Sequence, residues 1–433
     1  NIFMNFLSLG IIFMLLSLAA SPIQYAYSYQ VGISFPVGVT YFPLFSVTYT
    51  PFVEGVVNLT SLSIGRSFIS GQLFQYGNAS LQLNVMLNGT YWVQNVMLFH
   101  ELSDKTFEVI MVVNFWNLTG PFTTLIQNST IFQGLGVYCY QGPRFNVSLP
   151  VSLSLFLNSS RSLQFGYSVN GERNVYLDLP FSGLFKLGGL SANGLPNDLE
   201  IVWGGPGGGS SVDMTAQGRE ELYYLDDGKL AVVPSALSVG LDTAESAYGI
   251  ATSPDLSNIT LPSANINRGV NSPSVLWPIP PKINVTQIND MVKVKLCYGN
   301  YTFSNQVVEI RVIKGLSLTP LYQGVTNASG EVVFKNVTEP FYQVYFPGNY
   351  SLSQSYALSS PQLNRLIGST TTAFDNLINF LKTYNFKKAL SSDFNHVKYQ
   401  SKTSVDYLTL EVILGLVAGI LISALTLRKL SHS

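Results

Sequence analysis

Leu81–Leu87 reads LQLNVML and Val151–Leu157 reads VSLSLFL. Each stretch sets an apolar side chain at every second position, the period of a strand with one face on a core. The same alternation recurs through residues 29–260, broken by Gly, Asn, Ser and Pro. The chain is rich in β-branched and aromatic residues, with aromatics at 13%. That composition favours pleated, half-buried surfaces and specifies an all-β body. At 433 residues the chain is too long for one core, since cores rarely grow past roughly 250 residues.

The ends read differently from the middle. Phe6–Ala20 is an apolar run followed by small residues and Pro22, so residues 1–28 read as a signal peptide. The absence of Lys and Arg before that run leaves an uncleaved anchor as the other reading. Val412–Leu427 carries no charge and extends to Tyr407 if Glu411 sits near an interface. That length spans a bilayer core of about 30 Å. Residues 406–429 are therefore expected to form a transmembrane helix. Arg428 and Lys429 place residues 430–433 in the cytoplasm and the body outside. Gly415 and Gly419 form a G-x-x-x-G pair, read either as a helix-dimer seam or as ordinary membrane-helix glycines.

Between the ends, residues 29–260 form one large β domain. Residues 261–283 hold several prolines, including LWPIPPK, and read as a linker. Residues 284–350 alternate around turn signals and resemble an immunoglobulin-like β-sandwich module. In 351–405 the period changes: Leu363, Leu366, Ile367, Phe374, Leu377, Ile378 and Leu381 recur at helical spacing, as in a stalk helix.

Charge is scarce. Charged residues make up 11% of the chain and the formal net charge is −1, against a usual charged share of about 25%. In strong acid carboxylates are protonated and cations repel one another, so a chain with few of either loses little there. A hydroxyl- and amide-rich exported surface is the plainer reading of the same numbers. Neither provides an electrostatic footprint for nucleic acid. Thirteen N-x-S/T sequons, at Asn58, Asn78, Asn88, Asn117, Asn128, Asn146, Asn158, Asn258, Asn284, Asn300, Asn327, Asn336 and Asn349, point to an exported glycoprotein. The two cysteines, Cys139 and Cys297, fall in different domains and read as buried thiols.

Chemistry is sought by elimination. Of three histidines only His100 lies in the large domain, in FHELSD, without the second histidine of H-E-x-x-H. No G-x-S-x-G elbow is present, and Cys139 has no evident base. The glycine turn Gly204–Gly209 lacks the Lys-Ser/Thr pair of a phosphate loop and reads as a sharp turn needing positive φ. Carboxyls and amides remain, and carboxyl catalysis suits an acidic medium. They concentrate where NDLEIVWGGPGGGSS (197–211) leads to VPSALSVGLDTAESAYG (233–249). Glu200, Asp242 and Glu245 are the leading candidates, followed by Asp178 in VYLDLPF. Asp242 and Glu245 also fit a helix-start capping box, D-T-A-E.

The motifs LEIVWGGPGGGS, LYYLDDGKLAVVPSALSVG and DTAESAY, with VGISFPVGV, TYWVQNV, NFWNLTG and LQFGYSV before them, resemble the thermopsin family of archaeal acid peptidases over residues 30–255. The resemblance implies an endopeptidase acting in acid without metal or cofactor, on a polypeptide. Glu200, Asp242, Glu245 and Asp178 match positions where members carry acids, and Trp92 and Gln94 match a W-x-Q segment. Two positions depart: Asn95 and Val113 stand where an acid occurs in such sequences. Two mechanisms stay open. In one, Glu200 activates water and Gln94 stabilises the oxyanion, similar to glutamic peptidases. In the other, Glu200 shares a proton with Asp242 or Glu245, as in aspartic peptidases. The expected fold is all-β: a large jelly-roll-like β-sandwich, a small immunoglobulin-like β-sandwich, a helical stalk and a C-terminal transmembrane helix. A surface-tethered enzyme is implied. The alternative is a non-catalytic surface glycoprotein, structural or glycan-binding, with surface-layer neighbours or self-association through Gly415 and Gly419.

Overall fold

The computed structural model describes residues 35–43, 45–119, 133–134, 137–192, 194–314 and 317–359. They are all-β, with no helix among them. The expected stalk helix, the membrane segment and the signal peptide lie outside the described residues. Two compact units meet in sequence between Ile279 and Pro280.

The larger unit is a β-sandwich of an eleven-stranded and a ten-stranded sheet. The eleven-stranded sheet runs Val275–Trp277, Ala236–Val239, Val37–Tyr41, Leu199–Gly204, Asn78–Leu87, Tyr91–Ser103, Thr106–Asn117, Val137–Ser148 and Gln133–Gly134, with Phe185–Leu187 and Thr48–Thr50 attached beside Asn78–Leu87. The other runs Glu172–Leu179, Leu163–Val169, Val151–Asn158, Phe52–Ile69, Ser211–Asp226, Ala264–Arg268 and Ile250–Pro254, with Gln72–Tyr76 paired to Phe52–Ile69 and Lys229–Val232 and Ser246–Tyr248 paired to Ser211–Asp226. The period-2 pattern is realised as read: Leu81, Leu83, Val85 and Leu87 join Leu153, Leu155 and Leu157 in one core between the sheets. Trp203 and Phe99 pack tilted at 5.4 Å within it.

One polar row crosses the eleven-stranded sheet. Thr40, Glu200, Asn84, Gln94, Asn114 and Cys139 are successive cross-strand partners along it. Their sequence neighbours Leu199, Ile201, Leu83, Val85, Val93, Val113 and Phe115 all belong to the core. Alternation therefore turns this polar row to the opposite face of the sheet.

The stretch 261–283, expected as a linker, is instead built into both units. Ala264–Arg268 pairs with Ser211–Asp226, Val275–Trp277 pairs with Ala236–Val239, and Lys282–Ile288 opens the smaller unit. The prolines end strands here without freeing the chain, and Trp277 is anchored in the core by an indole N–H bond to the Val233 carbonyl at 2.8 Å. The smaller unit has two four-stranded sheets around Val292, Val294, Val308, Ile310, Phe334 and Val344. Its last described strand, Ser355–Leu358, reaches past the expected boundary at 350.

Glu220 lies fully buried in the larger unit, flanked on its strand by core residues Ala216 and Leu222. The Trp203 indole N–H donates to its Oε1 at 2.8 Å, and its Oε2 meets no partner among the described residues. Burial holds this carboxyl well above the ordinary Glu range, only partly offset by the Trp203 bond. A folded state that keeps a proton the unfolded chain releases loses stability as pH rises. We expect unfolding free energy to be greatest in acid. Above about pH 4.3, where an unfolded Glu ionises, Glu220 contributes a fall of about 1.4 kcal/mol per pH unit until it ionises in the fold. Urea unfolding across pH measures this, and E220Q, which keeps the acceptor for Trp203, flattens that part of the slope.

Candidate active site

The Glu200 end of the polar row is closed from water: Thr40, Asn84 and Glu200 are fully buried and Gln94 nearly so, while Asn114 is half-buried. The segment Leu241–Glu245 and the glycine turn both bond to groups on this face. The Leu241 N–H donates to Glu200 Oε2 at 2.8 Å, and Asn84 Nδ2 donates to Glu200 Oε1 at 2.7 Å. The approach needs Gly240, because a Cβ there would come within 2.6 Å of Glu200 Oε2.

Asp198 joins Glu200 on this face, two residues earlier on the same extended run, and is fully buried. Asp242 comes from the covering segment. Oxygens of Asp198, Glu200 and Asp242 all lie within 4.8 Å of one another. Among the described residues no Lys, Arg or His forms an ion pair with any of them. Among the described residues no other residue's N–H or hydroxyl donates to either oxygen of Asp198 or to Asp242 Oδ1. Two carboxyls this close can bond to one another only if one of them carries a proton. The electrostatics agree. Burial, then the Glu200 charge, pushes Asp198 well above the ordinary carboxyl range. Burial, then Asp198 and Glu200, does the same to Asp242. Oxygen-only sets of this kind suit hard cations, but a proton competes for the same lone pairs, and burial here favours the proton.

Glu245 belongs to an adjoining network. Thr243 Oγ1 lies 2.6 Å from Glu245 Oε2 and 2.8 Å from Gln82 Oε1, and the Gly209 N–H donates to Glu245 Oε1 at 3.2 Å. The glycine turn thus holds a carboxyl, and Gly207, Gly208 and Gly209 all take positive φ to do so. The D-T-A-E stretch is not helical, so the capping-box reading is not realised.

Gln94 is close in register but separate in contact. Its Nε2 donates to Gln82 Oε1 at 2.6 Å, and its Oε1 accepts from Asn114 Nδ2 at 2.5 Å. Asn84 stands between Gln94 and Glu200, which sets them about 10 Å apart at ordinary strand spacing. Asp178 is not in the group. It lies exposed on Glu172–Leu179 of the other sheet, where Gln164 bonds to it at 3.1 Å. His100 is exposed, with Nδ1 3.0 Å from Asn78 Oδ1. Cys139 is buried, and burial raises its thiol, which disfavours a thiolate.

The sequence reading passes over Asp198, though NDLE sets it two residues from Glu200, the spacing of one strand face. It also passes over Asn84 and Gln82, which look like the polar half of an ordinary alternation. Trp92, noted only as a motif residue, donates its indole N–H to Asp242 Oδ2 at 2.8 Å.

The departures at 95 and 113 fall on the other side of the sheet. Asn95 and Val113 are cross-strand partners, and Val113 is in the core. Asn95 Nδ2 donates to the Phe156 and Gly166 carbonyls of the facing sheet at 3.1 and 2.9 Å, and its Oδ1 accepts from Tyr176 Oη at 2.6 Å. It ties the sheets together and does not face the carboxyls.

Comparison with known proteins bears on the same residues. The thermopsin family model matches residues 21–250, a span that contains Trp92, Asp198, Glu200, Asp242 and Glu245. A relative, thermopsin of Sulfolobus acidocaldarius, is 29% identical over 276 residues, covering 52% of this chain and 78% of its own.

Restoring an acid at position 95 tests the face argument. N95D replaces a double donor with a carboxyl and leaves at least one buried carbonyl unpaired, a loss of about 1–3 kcal/mol. The loss should grow as pH rises and the new carboxyl ionises, while turnover in acid stays at the parent level. Denaturant unfolding at two pH values together with a cleavage assay checks both.

Proposed function

This chain belongs to the thermopsin family, and we propose that it is an acid-active endopeptidase whose Asp198–Glu200–Asp242 cluster activates water against a peptide bond. The family is one of peptidases, so the substrate class is a polypeptide. The observation that carries the reading is the meeting of three carboxyls within 4.8 Å, two of them fully buried, with no Lys, Arg or His among the described residues paired to them. Such a group holds both a proton to give and an acceptor to receive one, the requirement for general acid–base hydrolysis.

Glu200 takes a proton from water as its oxygen attacks the scissile carbonyl carbon. Asp242, the least buried of the three, gives its proton to the carbonyl oxygen. The tetrahedral intermediate then collapses. The C–N bond breaks, the amine leaves with the proton held by Glu200, and the hydroxyl proton returns to Asp242. Asp198, fully buried like Glu200, shares the proton that keeps the cluster from carrying three charges. Of the two mechanisms open from the sequence, the shared-proton one is favoured by the position of Gln94, whose amide is engaged with Gln82 and Asn114.

Localisation is part of the proposal. The body faces the outside of a thermoacidophile, tethered through residues 351–405 and a helix at 406–429, with N-linked sugar. Exposure of Asn88, Asn146, Asn284, Asn300, Asn327, Asn336 and Asn349 supports the last point. The Gly415–Gly419 face offers self-association.

The test is cleavage of an unfolded protein in strong acid by the full chain. E200Q and D242N should each lose about 10²- to 10⁴-fold in kcat, D198N should move the pH profile, and D178N should keep parent activity. Folding is checked by unfolding curves. Parent-level activity in both E200Q and D242N, or none in the parent, removes the reading in favour of a non-catalytic surface glycoprotein.

A further inference from the structure

Asp242 lies outside any strand, between Ala236–Val239 and Ser246–Tyr248. Its neighbours are tied down: the Leu241 N–H to Glu200, the Thr243 hydroxyl to Glu245 and Gln82. Its own carboxyl, the other carboxyls aside, meets one donor among the described residues, the Trp92 indole N–H at 2.8 Å on Oδ2. Trp92 stands on Tyr91–Ser103, in register with Met86 and Trp116. Its ring meets Trp116 edge-on at 6.2 Å and 63°. A rigid sheet residue thus reaches a carboxyl carried by an irregular segment.

The choice of donor is informative. Indole N–H is a donor only and does not titrate. A Lys, Arg or protonated His would hold Asp242 equally well but would draw the proton off it. A neutral donor fixes the carboxyl and draws on its proton far less than a cation would. The titratable groups around Asp242 are Asp198 and Glu200 on the adjoining strand run and Glu245 on its own segment, all acids.

We propose that Trp92 is a positioning residue for the acid of the reaction, holding Asp242 Oδ2 so that the carboxyl stays turned toward Asp198 and Glu200. This rests on the peptidase reading above. In full-length W92F the ring remains and the N–H is lost. Expected are a fall in kcat of about tenfold or more, KM within about twofold of the parent, and an alkaline limb of the kcat profile moved to higher pH. The limb moves up because a donor to the carboxylate favours the charged form and its loss favours the proton. W116F, which loses only the edge contact, should leave the limb where it is.

A second measurement needs no change at Trp92. In an E220Q background, which removes the other carboxyl bonded to a tryptophan, tryptophan emission should titrate with pH and D242N should abolish that titration. A parent pH profile in W92F, an effect confined to KM, or an emission titration that survives D242N overturns the proposal. Retained activity in both D242N and E200Q overturns the peptidase reading instead, while the emission titration still decides whether Trp92 senses Asp242.

Discussion

Three carboxyls crowd together on one largely buried face of a sheet, with no Lys, Arg or His among the described residues to balance them, and this constraint organises the site. Coulomb repulsion between two ionised carboxylates is modest in water and severe in a buried setting. Asp198, Glu200 and Asp242 can be neighbours only while protons are shared among them. The surroundings serve that condition. Leu241 and Asn84 give neutral donors to Glu200, and Trp92 gives one to Asp242. Asn84, Gln82, Gln94 and Asn114 provide amides where a charged ladder would have changed the proton count. Gly240 lets the chain pass close enough to close the face.

The same logic extends to the core and to composition. Glu220 sits between the sheets beside Trp203, again with an indole N–H as its donor. Two of the chain's four tryptophans therefore hold buried carboxyls through neutral bonds. Each such carboxyl is harmless while protonated and costly once ionised. This inverts the usual acid-denaturation argument, in which paired carboxylates lose their partners as pH falls. A chain with few surface charges and several buried acids gains relative stability in acid, and the low charge content read from composition is the surface half of that design.

What the sequence made legible came from local periodicity. LQLNVML and VSLSLFL marked strands and their core-facing residues, because period-2 alternation is a one-dimensional signal. Glu200 and Asp242 were legible because carboxyls are rare in this chain. The meeting of Asp198 with Asp242 was not, since it depends on how a segment more than forty residues later closes over the sheet. LWPIPPK misled because proline signals the end of a strand equally well in a linker and in a short edge strand. Asn84 and Gln82 were hidden because a polar residue opposite a core position is the ordinary pattern for a solvated face. Only the covering segment turns that face into a buried one.

Alternation also governs what can be carried across a family. Gln94 and Asn95 are adjacent in sequence yet face opposite sides of the sheet, as do Asn114 and Val113. An acid lost at 95 or 113 is an acid lost from between the sheets, where Asn95 bonds two carbonyls and the Tyr176 hydroxyl. It removes nothing from the face that holds Glu200. Conversely, a change at Asn84 would act directly on Glu200 although the residue carries no charge. Parity along the strand, more than chemical type, decides which substitutions bear on the site. On that criterion the departures at 95 and 113 do not count against activity.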